Sequence, residues 1–182
     1  MKKLMLSIAV ATFLMTANFA NAQSPIDKVF EKYAGQDGFT TVNLSKEMFQ
    51  MFQQIDAGKD SSGVELKEIL DQLTGLKVLM FNFDSTNVVK AVSLYNEFAG
   101  VYPAASYKEM MSIQEGRQYL KFMTKQETNG KVVEFVMLLK DKREIGVISL
   151  TGNIDLSSIS RISKMVNIHG MENMGKLKEK HK

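Results

Sequence analysis

Three places in the chain carry side chains at a spacing that can do chemistry. Glu134 stands alone in the apolar run KVVEFVMLL, with Val132, Val136 and Leu138 on its own side of a β-strand. Acids set among apolar neighbours are where acid–base catalysis is commonly found. His169, Met171 and Met174 in HGMENM bring imidazole and thioethers together, a soft donor set that suits Cu(I). Residues Thr151 to Lys164, TGNIDLSSISRISK, gather a Gly-Asn, an Asp and four Ser, the kind of polar start to a helix that can hold an anion.

Each place also has a structural explanation. On an antiparallel sheet Glu134 would face water or pair across to Lys121 or Lys125. The His169 group lacks a third fixed ligand and leads into a basic end carrying Lys176, Lys178, Lys180 and Lys182, which reads as a solvated tail. Asp155 sits where a helix N-cap belongs, ahead of Leu156, Ile159, Ile162 and Val166, and its carboxylate would occupy the N–H groups that a phosphate needs. Glu65, Glu68 and Asp71 share the polar face of an amphipathic helix. Glu134, His169, Met171 and Met174 therefore remain the site candidates, with no catalytic, cofactor or metal site assembled around them.

Other chemistries are missing from the sequence itself. Gly58-Lys59 lacks the glycine spacing of a phosphate loop, and no dinucleotide, GxSxG or HExxH pattern occurs. The only histidines are His169 and His181, both beyond the last expected core element, so a Ser-His-Asp triad has no positioned base. Without cysteine there is no disulfide, thiolate nucleophile, lipobox or Cys-ligated metal.

Positioning any of these residues falls to elements that the caps and periodicities outline. Ser24-Pro25-Ile26-Asp27 opens a helix to about Ala34. A short strand at Phe39 to Leu44 leads to a helix bearing Met48, Phe49, Met51, Phe52 and Ile55, and Ser62 with Glu65 opens another that Gly75 would close. Leu76 to Phe83 is apolar on both faces, which predicts an interior strand, and Asp84-Ser85 would cap a helix through Phe98. Four β-prone runs follow, Tyr107–Ile113, Arg117–Glu127, Lys131–Lys140 and Glu144–Leu150, joined by tight turns that include Asn129-Gly130. The expected fold is α+β: N-terminal helices interleaved with two strands, then a four-stranded antiparallel meander and a C-terminal helix, with the helices mainly on one face of the sheet.

Met1-Lys2-Lys3, an uncharged run from Leu4 to Ala17 and Ala20-Asn21-Ala22 have the order of a secretory signal peptide. Cleavage after Ala22 is expected, giving a product soluble in the periplasm or outside the cell, with no transmembrane segment. The expected organisation is signal peptide 1–22, one α+β domain 23–168 and a basic flexible tail 169–182. Two of the 23 basic residues, Lys2 and Lys3, leave with the leader, so 21 face 20 acidic ones, a balance that argues against nucleic acid as partner.

Several segments together carry a resemblance: Ile26 to Phe30 after the export signal, TTVNLSKEMF at 40 to 49, the meander KVVEFVMLLKDKREIGVISLTGNIDL at 131 to 156, and the run from Ile159 to Met165. The chain resembles the exported family of Bacteroidetes-type bacteria catalogued as domain of unknown function 4252. That resemblance implies export and a single α+β domain, and it supplies no functional residues to carry over. Asp84-Ser85-Thr86 also fits a short O-glycosylation acceptor pattern of some exported proteins, although a cap role explains the same residues.

These readings converge on an exported, non-enzymatic domain that binds a protein or cell-envelope component, with the sheet residues Tyr119, Val136 and Leu138 as a contact surface. The alternative is a small-ligand-binding or weakly hydrolytic domain using a carboxylate pocket around Glu134. Its exposure or burial discriminates between the two.

Overall fold

A computed structural model describes residues 24–54 and 61–155, with side chains described outside 53–66. The elements run α1 (Pro25–Tyr33), β1 (Phe39–Ser45), α2 (Lys46–Gln54), α3 (Ser61–Gln72), β2 (Leu73–Asn82), α4 (Val88–Gly100), β3 (Lys108–Glu115), β4 (Gln118–Gln126), β5 (Val132–Lys140) and β6 (Glu144–Ile154). All six strands form one antiparallel sheet in the order β1-β2-β6-β5-β4-β3.

The expected four-stranded meander closed by a C-terminal helix is thereby overturned. The hairpins β3–β4–β5–β6 form as their turns predicted, but β2 then pairs with β6 along nearly its whole length and brings β1 with it. A strand apolar on both faces leaves a row of buried N–H and C=O groups unless a neighbour lies on each side; the meander offers free edges at β3 and β6, and β2 takes the one on β6. Strand β6 also continues through Gly152-Asn153 to Ile154, so that dipeptide does not end it. The helix expected from Asp155 onward falls on residues outside those described, as do the leader and the tail.

The helices lie on both faces, not mainly on one. On the first, Ile26, Val29 and Tyr33 of α1 and Ala91, Leu94 and Phe98 of α4 pack against Leu79, Val136, Leu138 and Val147. On the second, Phe49 of α2 and Leu70 of α3 pack against Phe122, Phe135, Met137 and Leu150. Alternation along β5 sends Val136 and Leu138 one way and Phe135 and Met137 the other. Val136 and Leu138 are thus buried under α1 and α4, leaving Tyr119 alone of the expected contact residues at the surface. Tyr33 stacks on Phe39, and its hydroxyl and Lys32 Nζ both donate to Glu97, at 2.7 Å each, which clasps α1 to α4.

Local readings were corrected where strands took residues assigned to caps. Asp84 does not cap α4; its Oδ1 accepts from Thr86 N at 2.8 Å and Thr86 Oγ1 at 2.6 Å, closing a turn before Asn87. Gly75 does not close α3 but lies inside β2, at an irregularity in its pairing with β6. Met48 and Met51, set at core spacing, are exposed, and only Phe49 of that helix is buried among the described side chains. Among the described residues no helix is long and apolar enough to cross a membrane.

Gly152 has φ +153°, and a Cβ there would collide with the backbone carbonyl of Gln72. Gly152→Ala should cost about 1–3 kcal/mol in urea unfolding, the range for forcing atoms into packed structure. Gly100→Ala, where nothing lies within 4 Å, should cost nothing or stabilise slightly.

Candidate functional site

Glu134 is 3% exposed, on the face that α1 covers. A buried carboxylate needs donors for its oxygens, and three hydroxyls supply them. Ser24 Oγ donates to Oε1 at 2.8 Å, Ser149 Oγ to the same oxygen at 2.7 Å, and Tyr107 Oη to Oε2 at 2.6 Å. The donors come from the residue before α1, from β6 and from the loop before β3. Lys125 stands opposite Glu134 in the strand register, and Lys121 pairs with Glu109 at 2.9 Å, so neither is the ion-pair partner that cross-strand logic proposed.

Beside this group lies a second layer of charge. Asp27 Oδ2 accepts from Ser24 N at 3.1 Å, the return half of the capping box foreseen at the start of α1, and Asp27 Oδ1 pairs with Lys77 of β2. Ser24, Asp27, Lys77, Ser149 and Thr151 line a cleft of about 220 Å³ between α1 and strands β1, β2 and β6. Glu134 itself does not line that cleft; the two serines stand between it and the opening. Tyr102 packs on Tyr107, its ring edge-on at 5.0 Å between centroids. Its hydroxyl is buried without a hydrogen-bond partner among the described residues.

Ser24 Oγ beside Glu134 Oε1 has the spacing of a nucleophile and a base. Among the described residues no imidazole lies beside the pair to carry a proton onward, and Oε1 is shared with Ser149. Burial first, then the Glu134 hydrogen bond, holds the Tyr107 phenol well above the usual tyrosine range; burial, then the charges of Glu134, Tyr107 and Asp27, does the same for Tyr102.

A larger opening of about 670 Å³ lies at the far end of the same face, between α4 and the β3–β4 and β5–β6 turns. Its walls are Phe83, Val92, Tyr95, Tyr119 and Ile145, with Arg117, Lys140 and Lys142 at the turns. Tyr95 and Tyr119 meet edge-on at 6.5 Å, and Lys140 Nζ lies 5.6 Å from the Tyr95 ring centre. Burial, with smaller contributions from Tyr119 and Glu109, pushes the Tyr95 phenol up to about 12. Sequence reasoning named only Tyr119 of this group. Its other residues come from α4, β5, β6 and the connections beside them, and no local motif joins them.

His169, Met171 and Met174 lie outside the described residues, so the structure brings nothing to or from them. Among the described residues no group of three or more His, Asp or Glu is placed to hold a metal ion.

Glu134→Gln sets an amide N–H₂ against a hydroxyl donor and should cost about 1–3 kcal/mol in urea unfolding; Glu134→Ala, which strands three hydroxyls and opens a cavity, should cost more. Tyrosine phenols with folded-state pKa above the unfolded value stabilise fully below about pH 10 and lose that contribution as pH rises through the folded value. Stability should therefore fall through the alkaline range, and Tyr102→Phe should flatten the fall while leaving stability at pH 7 unchanged or slightly higher.

A family model described as Domain of unknown function (DUF4252) matches residues 33–162. The matched stretch holds Lys77, Tyr107, Glu134, Ser149 and all walls of the larger cleft, while Ser24 and Asp27 precede it. No curated protein and no solved structure matches the chain. With more than half of its length covered by that model, the chain belongs to the DUF4252 family.

Proposed function

We propose that the chain is an exported binding domain, not an enzyme, and that it engages a protein or cell-envelope component through the cleft between α4 and the turn end of the sheet. The observation that carries this reading is the cleft itself: about 670 Å³, within the roughly 300–1,000 Å³ of ligand pockets, with two tyrosines and a phenylalanine in its walls. Val88 and Val92 line it and Val89 stands beside them on α4, all exposed, Val89 at 85%. A helix start that presents three valines to solvent is costly for folding and useful for contact. The structural use of Glu134 supports the non-enzymatic part, since both of its oxygens are engaged by hydroxyls.

Export rests on the leader pattern at residues 1–22. A second reading, a small polar ligand in the 220 Å³ cleft, draws support from one observation: Ser24 and Ser149, which hold the buried Glu134, also face that opening beside Lys77 and Asp27.

Affinity capture from the cell's own envelope tests the two against each other. The wild-type chain should retain a partner that Val89→Asp/Val92→Asp loses and Lys77→Gln keeps. Loss with Lys77→Gln alone would favour the small polar cleft, and equal retention by all three chains would overturn the assignment to the α4 cleft.

A further inference from the structure

The larger cleft combines two properties that seldom coincide by chance. Its walls are apolar and aromatic, while its rim carries three cations and one acid: Arg117, Lys140 and Lys142 against Asp141, an excess of two positive charges. Glu115 and Glu144 line an adjoining opening with Lys142 and Arg143, but among the described residues neither acid is ion-paired to a rim cation. Arg117 and Lys142 make no side-chain hydrogen bond or ion pair among the described residues, and Lys140 has only the Tyr95 ring beneath it. Asp141 is itself occupied in part, its Oδ1 accepting from Lys142 N at 2.6 Å.

Topology explains why the cations gather here. Tyr119 and Lys140 are cross-strand partners on β4 and β5. Two residues further toward the turn end of each strand come Arg117 and Lys142, which line the same opening as Tyr119 and Lys140. An arginine fork and two lysines at the mouth of an apolar slot form a site for an anionic head whose body is buried beside the rings.

We propose that this cleft binds a single-chain amphiphile with an anionic head, its hydrocarbon lying between Val92, Tyr95, Tyr119 and Ile145 and its carboxylate or phosphate held by Arg117 and Lys142. The inference deepens the binding reading above and rests on it. A neutral apolar ligand would leave the rim's cations in excess over Asp141, and a free inorganic anion would leave the aromatic walls unused. Cations set over an apolar cavity answer both demands with one molecule.

Titration calorimetry of the exported chain with dodecanoate, kept below its micelle concentration, tests the assignment. One site is expected, weakened about tenfold or more by Arg117→Gln/Lys142→Gln. The affinity should also fall with added salt, and dodecylamine should not bind. Val92→Glu, at the exposed rim, should abolish binding by placing a carboxylate at the mouth, which supplies a second variant if the turn substitutions disturb folding. The absence of a dodecanoate site, equal binding of dodecylamine, or wild-type affinity in both variants would overturn the proposal. Failure here with envelope capture still dependent on Val89 and Val92 would remove the ligand class and leave the binding reading standing.

Discussion

A carboxylate shut inside a sheet must be satisfied by the chain that buries it, and Glu134 organises one end of this fold around that demand. Its three hydroxyl donors lie 110, 27 and 15 positions away in sequence. Together they fix the N-cap of α1 over the sheet, the α4–β3 connection beside it and the register of β5 against β6. Hydrogen bonds to a charged acceptor are each stronger than neutral ones, and removing any donor leaves the others holding an under-satisfied anion. Apolar packing of α1 would tolerate a slide along the sheet; the directed Ser24–Glu134 bond and the Asp27–Lys77 pair do not.

The second constraint is the pairing of β2 with β6, which converts a hairpin series into a sheet with helices on both faces. Those helices then divide their labour. Helices α1 and α4 roof the face that holds Glu134 at one end and the tyrosine-walled cleft at the other, so both openings arise where the roof stops. Helices α2 and α3 cover the opposite face through Phe49 and Leu70, on a narrow stripe that leaves Met48, Met51 and Phe52 exposed.

What could be read in advance divides along the same physical line. Caps and turns are local, and Ser24-Pro25-Ile26-Asp27, Glu115-Gly116 and Asn129-Gly130 placed their elements to within a residue or two. The interior character of Leu76 to Phe83 was also legible, because it depends only on apolar side chains on both faces, which Lys77 and Asn82 alone interrupt. Which strand lies beside it was not, since any apolar strand with an open edge satisfies the same pattern. Gly75 misled because a glycine can end an element or, as at Gly152, admit a close backbone approach within a strand, and only the partner decides which. For the site, Glu134 stood out as an acid among valines, yet its partners were invisible. Ser24 looked like a pure helix cap, Ser149 like one polar residue in a strand, and Tyr107 like the first residue of a meander strand. The cation-rimmed cleft left even less trace, since Arg117 and Lys142 sit in turns, where charge is unremarkable.

The claim that Glu134 is a structural tie seated by Ser24, 110 positions away in sequence, is tested most directly by a double-mutant cycle of Ser24→Ala and Glu134→Gln, read as urea unfolding free energies. The account predicts a coupling of about 1 kcal/mol or more, because the two residues share one hydrogen bond in a buried network. Additive losses, with no coupling between the two positions, would contradict it.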